Sequence, residues 1–218
     1  QLPETFENLA SCILQRVLQY GDNEARVDLV ADQYMTTSIK HLERCRRASF
    51  GTLVINIANG EQKVPKQWKK FLSNEANKDA LLLFLAQEWC KDQYAMILGQ
   101  HTVFYAFRNQ CYQMYARNGQ VVTEVVDELE TSQEEADTRM FLHAKHAADR
   151  GRETVIVKSP DTDVSVLACH MQKHIPTTLL IHTGTGNSTR LVDVQAICDK
   201  LGPEVCDALP GVHAFTGC

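Results

Sequence analysis

The chain lacks the features of membrane-spanning, fibrous and disordered proteins. Its longest apolar run, residues 80–86, has seven residues, whereas a membrane-spanning helix needs about twenty. Eleven Gly and six Pro among 218 residues are too few for a collagen-like or low-complexity chain. With 44% apolar and 22% charged residues, the composition is that of a globular protein that buries a sizeable core.

Secretion signals and a disulfide framework are also missing from the sequence. The first residues, Gln1-Leu2-Pro3-Glu4, provide neither a basic nor an apolar segment, so no signal peptide is predicted. The eight Cys are scattered without a CxxC pair, which favours free thiols in a reducing compartment. We therefore expect an intracellular protein, nuclear or cytoplasmic, that is neither secreted nor membrane-bound.

Acidic residues are concentrated in the second part of the chain. Residues 1–125 carry 14 Lys and Arg against 13 Asp and Glu, whereas residues 126–218 carry 8 against 14. Such an excess of acid predicts either a solvated surface or a cation site.

Helical and strand patterns follow each other in the first part of the chain. Apolar residues at helical spacing predict a helix that ends at Gly21. The segment Arg26–Asp32 is short and apolar, which predicts a buried strand ending on Asp32. Asn118-Gly119 between two apolar runs predicts a β-hairpin. Further helices are predicted over the basic residues 40–47 and, as one or two helices, over 65–92.

After Ser132 the pattern alternates regularly between helix and strand. This alternation predicts an α/β protein with a mainly parallel central sheet and helices on both faces. We expect one domain over residues 1–218, with residues 60–125 as a helical and β-hairpin insertion. The predicted elements are a helix over 136–148, a strand over 154–158, a helix over 164–172, a strand over 178–181 and a helix over 192–201 that Gly202-Pro203 ends.

Two acidic motifs in this part of the chain have both a structural and a chemical interpretation. Ser132 and Glu135 have the spacing of a capping box at a helix start. Asp163, in the second motif, is placed to cap the next helix. In parallel sheets, however, ligands bind beyond the carboxyl ends of strands. Asp161 and Asp32 both follow predicted strands, so these acids could instead meet at one edge of the sheet.

Carboxylates gathered at one edge repel one another unless cations bind them. Hard oxygen ligands suit Mg²⁺ or Mn²⁺, and two such ions together activate water and stabilise a leaving oxygen in phosphodiester cleavage. We therefore predict a two-ion site. Its predicted metal ligands are Asp32, Glu135, Asp137, Asp161 and Asp163, and all of these except Asp32 are also predicted catalytic residues.

The order and spacing of these motifs resemble the flap endonuclease/XPG family of PIN-like 5′-nucleases. That family has a strand ending in Asp-Gly before a basic helix, then Glu-Ala-Glu at a helix start, then Asp-x-Asp after the next strand. Here Val30-Ala31-Asp32 precedes a basic stretch, and Glu135-Ala136-Asp137 and Asp161-Thr162-Asp163 follow in that order. The resemblance covers about residues 7–47 and 125–218. The blocks QEEADTR, SPDTDV and HAFTGC also look like poorly described animal proteins, some of them from mobile elements.

The resemblance implies a PIN-like α/β/α fold and Mg²⁺- or Mn²⁺-dependent cleavage of DNA, including flap or branched structures. DNA is favoured over RNA as the partner, and Lys40, Arg44 and Arg47, on one predicted helical face, are placed to contact phosphates. Gln33 stands where the family has Gly. The family's first strand and its last Asp would fall outside these 218 residues, so we expect an interior fragment, incomplete at both ends.

Two other functions remain open from the sequence. One is a catalytically inactive PIN-like module that binds nucleic acid or protein, and the other is a metal-free α/β protein whose acids only cap helices. Cys198, Cys206, His213 and Cys218 match no common zinc-finger spacing, so we expect them to be ordinary packed residues.

Overall fold

The computed structural model describes residues 2–21, 25–33 and 54–216. The chain forms two compact units, Gln1–Glu134 and Glu135–Cys218, and each is described by itself below. The predicted basic helix over residues 40–47 lies outside the described residues.

The first unit is built on a four-stranded sheet in the order β1-β2-β3-β4. β1 runs parallel to β2, whereas β2, β3 and β4 are antiparallel neighbours. Asn118 and Gly119 join β3 to β4 with φ angles of 54° and 78°, which confirms the predicted hairpin, because two-residue turns of this kind need positive φ. The elements are α1 (Phe6–Gly21), β1 (Arg26–Val30), α2 (Trp68–Leu72), α3 (Glu75–Trp89), α4 (Ala95–Leu98), β2 (Thr102–Phe107), β3 (Gln110–Arg117) and β4 (Gln120–Val125).

Aromatic side chains fill the core of the first unit. Trp89 is fully buried, donates its indole N–H to the carbonyl of Ala10 at 3.1 Å and meets Tyr105 edge-on, with ring centroids 5.2 Å apart. Burial raises the pKa of Tyr105, whose hydroxyl donates to the carbonyl of Leu82 at 3.0 Å. α1 buries Phe6, among other apolar residues, against this core, as its helical spacing predicts.

The second unit contains a three-stranded sheet in the order β5-β6-β7. β5 and β6 are parallel, and β7 pairs with β6 in the antiparallel direction. The core is mostly aliphatic and includes Val164, Leu179 and Ile181. The elements are α5 (Ala136–Asp149), β5 (Thr154–Lys158), α6 (Thr162–Met171), β6 (Thr178–Thr183), β7 (Arg190–Asp193), α7 (Val194–Leu201) and α8 (Pro203–Thr216).

The structure confirms the mixed α/β class, but the sheet differs from the expected one. The described strands form two sheets, with two parallel and three antiparallel pairings. The expected single, mainly parallel sheet is therefore not what these strands form. The turn at Arg108-Asn109, the hairpin at Asn118-Gly119 and the return of β7 along β6 account for the three antiparallel pairings.

Two elements of the second unit, β7 and α8, are absent from the predicted elements. Val192 falls in a predicted helix, yet it lies in β7. The helix begins after Asp193, whose carboxylate accepts a hydrogen bond from the Ala196 N–H at 3.1 Å. Gly202 ends α7 with a φ of 80°, and Pro203 is then the first residue of α8. Pro is favoured at the first helical position, so the Gly-Pro pair separates two helices rather than ending the last one.

Among the helices of the described residues, none is both long and apolar enough to cross a membrane.

Candidate metal centre

A short, well-fixed loop at the end of β5 positions the first part of the site. The Ser159 N–H donates to the His182 carbonyl at 3.2 Å, which extends the pairing of β5 with β6 by one residue. The buried Ser159 hydroxyl accepts a hydrogen bond from the Asp161 N–H at 3.1 Å. The loop therefore fixes the backbone of Asp161 at the carboxyl end of a parallel strand.

Asp161 is the N-cap of α6. Its backbone is extended, with φ −81° and ψ 136°, and its Oδ1 accepts a hydrogen bond from the Asp163 N–H at 3.1 Å. The sequence interpretation that Asp163 caps this helix is therefore wrong. Because α6 begins at Thr162, the carboxylate of Asp163 belongs to the first helical turn.

The start of α5 supplies the third acid of the site. α5 begins at Ala136, and Glu135 occupies the N-cap position without a capping hydrogen bond from its side chain. Ser132 lies too far before the helix to cap it, so the predicted capping box is not formed. Asp137 falls in the first turn of α5.

Three aspartates from these two helix starts come together. One carboxylate oxygen each from Asp137, Asp161 and Asp163 lies within 4.8 Å of the other two. α5 leads directly into β5, and a helix that packs back along the strand after it begins near the carboxyl end of that strand. The first turn of α5 can therefore meet the loop that follows β5. Asp161 and Asp163 are exposed, and Asp137 is half-buried.

The electrostatics of this cluster favour a cation. Two carboxylates 4.8 Å apart repel by about 1 kcal/mol in water and about 3 kcal/mol in a less polar setting, and the lower figure fits the exposed pair. The positive ends of α5 and α6 offset part of this repulsion. Three carboxylate oxygens are hard ligands that match Mg²⁺ or Mn²⁺, which complete their shells with water, so the donor set fits such an ion.

A histidine from the last helix also reaches this cluster. His213, in α8, places its Nε2 2.7 Å from Oδ1 of Asp163, and its side chain is 19% exposed. Sequence reasoning missed this contact and treated His213 as a packed residue. No local signal could reveal it, because His213 and Asp163 are 50 positions apart and meet only through helix packing.

The group of three carboxylates does not include the other two predicted metal ligands, Glu135 and Asp32. Asp32 is exposed and belongs to the first unit, two residues after β1. Next to it, the buried Gln33 donates to the carbonyls of Thr131 and Glu134 at 3.0 and 2.8 Å. Metal binding by Glu135 and Asp32 therefore stays a prediction.

The predicted phosphate contacts of Lys40, Arg44 and Arg47 fall outside the described residues and stay predictions as well. Comparison with known protein families, with curated proteins and with solved structures finds no match. The candidate metal centre is therefore defined by its geometry.

Proposed function

We propose that this chain is a PIN-like, Mg²⁺- or Mn²⁺-dependent nuclease that cleaves phosphodiester bonds in DNA, including flap or branched structures. The observation that carries the proposal is the meeting of the Asp137, Asp161 and Asp163 carboxylates within 4.8 Å. Their order in the chain supports it further, since Glu-Ala-Asp followed by Asp-x-Asp resembles the flap endonuclease/XPG family.

Each of the three aspartates has a distinct place in the proposed site. Asp161 uses Oδ1 to cap α6, which leaves its other oxygen available to a cation, and Asp163 uses Oδ1 for His213. Asp137 approaches from α5. A bound divalent ion would offset most of the negative charge of the three carboxylates, lower the pKa of a coordinated water and stabilise the leaving oxygen. Glu135 is proposed as a further ligand of a two-ion site.

A second candidate is an inactive module that binds nucleic acid or protein. The observation in its favour is that two of the three acids already have structural partners, because Asp161 caps α6 and Asp163 contacts His213. Carboxylates held in this way are stable without an ion. This candidate and the nuclease differ in cleavage and not in binding.

A cleavage assay on a labelled flap DNA distinguishes the two functions. We expect wild-type protein to cleave the flap with Mg²⁺ or Mn²⁺ and to lose cleavage in EDTA. Asp161→Asn combined with Asp163→Asn should also abolish cleavage, since amides are poor cation ligands but still accept the two hydrogen bonds. Asp199→Asn combined with Glu204→Gln, which removes two exposed charges elsewhere in the second unit, is the matched control.

DNA binding is measured in parallel at several salt concentrations. Lys40→Ala with Arg44→Ala should reduce the salt dependence of binding by about two phosphate contacts. Binding without cleavage in either metal would favour the inactive module. If the double Asn variant cleaves like wild type, the activity does not come from this site, and absence of DNA binding at low salt would reject both candidates.

A further inference from the structure

We propose that His213 is a positioning residue that orients Asp163 for the cation, an inference that rests on the proposed metal site. A carboxylate has no proton to give, so at 2.7 Å the His213 Nε2 carries the hydrogen and Asp163 accepts it. One oxygen of Asp163 is thereby held, and the carboxylate is turned so that the other oxygen serves as the metal ligand. Metal-binding carboxylates are commonly oriented by such hydrogen bonds.

The packing of α8 against α6 sets the position of His213. Near the C-terminal end of α6, Asp207 of α8 pairs with Lys173 and lies 3.4 Å from Nδ1 of His170. Six residues further along α8, His213 meets Asp163 at the other end of α6. Six residues rise by about 9 Å, and the seven from Asp163 to His170 rise by about 10.5 Å. The two helices are therefore antiparallel, with matched contacts at both ends.

The inward face of α8 continues to His213. Cys206 is buried in the core of the second unit and Leu209 packs against it, and positions 206, 209 and 213 share one helical face. Pro210 lies inside the helix and has no N–H to give to the carbonyl of Cys206. The turn that carries His213 is thus less tied to the rest of α8, so its own contacts, above all that with Asp163, fix its orientation.

Manganese affinity of wild type and variants tests this role, with free Mn²⁺ followed by electron paramagnetic resonance. His213→Leu removes the donor at similar size, and we expect its Kd for Mn²⁺ to rise about 10-fold, as is usual for lost outer-sphere partners. His213→Gln keeps an N–H at nearly the same reach and should restore the Kd to within about 3-fold. His174→Leu, an exposed histidine on the segment after α6, is the matched control and should bind like wild type.

The outcomes separate this role from the proposed metal site. If His213→Leu keeps the wild-type Kd, or binds more tightly, while Asp163→Asn loses binding, the metal site stands and the positioning role is wrong. A wild-type protein without saturable Mn²⁺ binding would overturn both. Thermal unfolding in EDTA checks that the variants fold. If His213→Leu does not fold, a weakened Kd in a folded His213→Gln would overturn the role and a retained Kd would support it.

Discussion

The two units of the molecule treat their carboxylates differently. In the first unit, Arg26 holds Asp28 through two hydrogen bonds of 2.8 Å, and the buried Glu88 lies 2.6 Å from Nζ of Lys91. In the second unit, three aspartates face one another instead. Opposite charges stabilise a fold, whereas like charges at this distance oppose it. The second unit also has ordinary ion pairs, such as Lys145 with Asp149, so the difference lies in this one cluster, whose three carboxylates could hold a cation.

The cores of the two units differ in size and in the kind of side chain that fills them. The first is packed with large aromatic rings, such as the edge-on pair of Trp89 and Tyr105, and both Trp of the chain belong to this unit. The second has a smaller, mostly aliphatic core, and its last helix exposes Val212 and Phe215, the latter at 93%. Tryptophan fluorescence therefore reports on the first unit, and Mn²⁺ binding is proposed to report on the second.

The largest expected effect comes from breaking the core of the first unit. Trp89→Ala removes a fully buried ring and its hydrogen bond to Ala10, and should lower the free energy of unfolding by about 3–5 kcal/mol. Urea unfolding followed by the fluorescence of Trp68 measures this, since Trp68 is stacked on Phe71. Met96→Ala, at a side chain 94% exposed, should change stability by less than about 0.5 kcal/mol. Equal effects of the two variants would contradict the burial of Trp89 in the core of the first unit.

The next effect concerns the acidic cluster of the second unit. Asp161→Asn with Asp163→Asn should raise the melting temperature in EDTA, because repulsion with Asp137 is relieved while the cap of α6 is kept. The same variant should lose the stabilisation by Mn²⁺, which for wild type is about 2.7 kcal/mol at 100 times the Kd. Differential scanning calorimetry with and without Mn²⁺ measures both. An unchanged Mn²⁺ response would locate the ion elsewhere.

The smallest expected effect comes from Asp207, which differs from the clustered aspartates of the same unit. Asp207 has a cationic partner, and its hydrogen bond with Lys173 lowers the pKa of Asp207 below the ordinary value of 3.8. This contribution to stability is therefore present above pH 3.8 and is lost as the pH falls through the lowered pKa. Asp207→Asn should destabilise the protein at pH 6, the opposite sign to the Asp161 and Asp163 variant. As the pH falls below 3.8, the stability difference between Asp207→Asn and wild type should become smaller. Acid unfolding followed by circular dichroism measures this.

Local patterns predicted most of the elements because each carries its own signal. The hairpin follows from Asn118-Gly119, and the strand before Asp161 was predicted with the bounds that the structure has, Thr154–Lys158. The division of the strands into two sheets depends on pairings between distant residues, which no local pattern contains. β7, with four residues, is too short to show a period.

The candidate site was partly predictable for the same reason. Asp137, Asp161 and Asp163 lie in the first turns or caps of helices beside one strand, and the chain order alone brings them to one edge. The contact of His213 with Asp163 depends on the antiparallel packing of α8 on α6. α8 itself was not predicted, because Gly202-Pro203 was interpreted as an end.

Anomalous X-ray diffraction from crystals soaked in Mn²⁺ tests the metal centre most directly. The geometry predicts an anomalous peak at bonding distance, about 2 Å, from carboxylate oxygens of Asp137, Asp161 and Asp163. Crystals of the Asp161→Asn, Asp163→Asn variant should lack the peak. Saturating Mn²⁺ with no peak at these three residues, or with the only peak at another site, would contradict the metal centre.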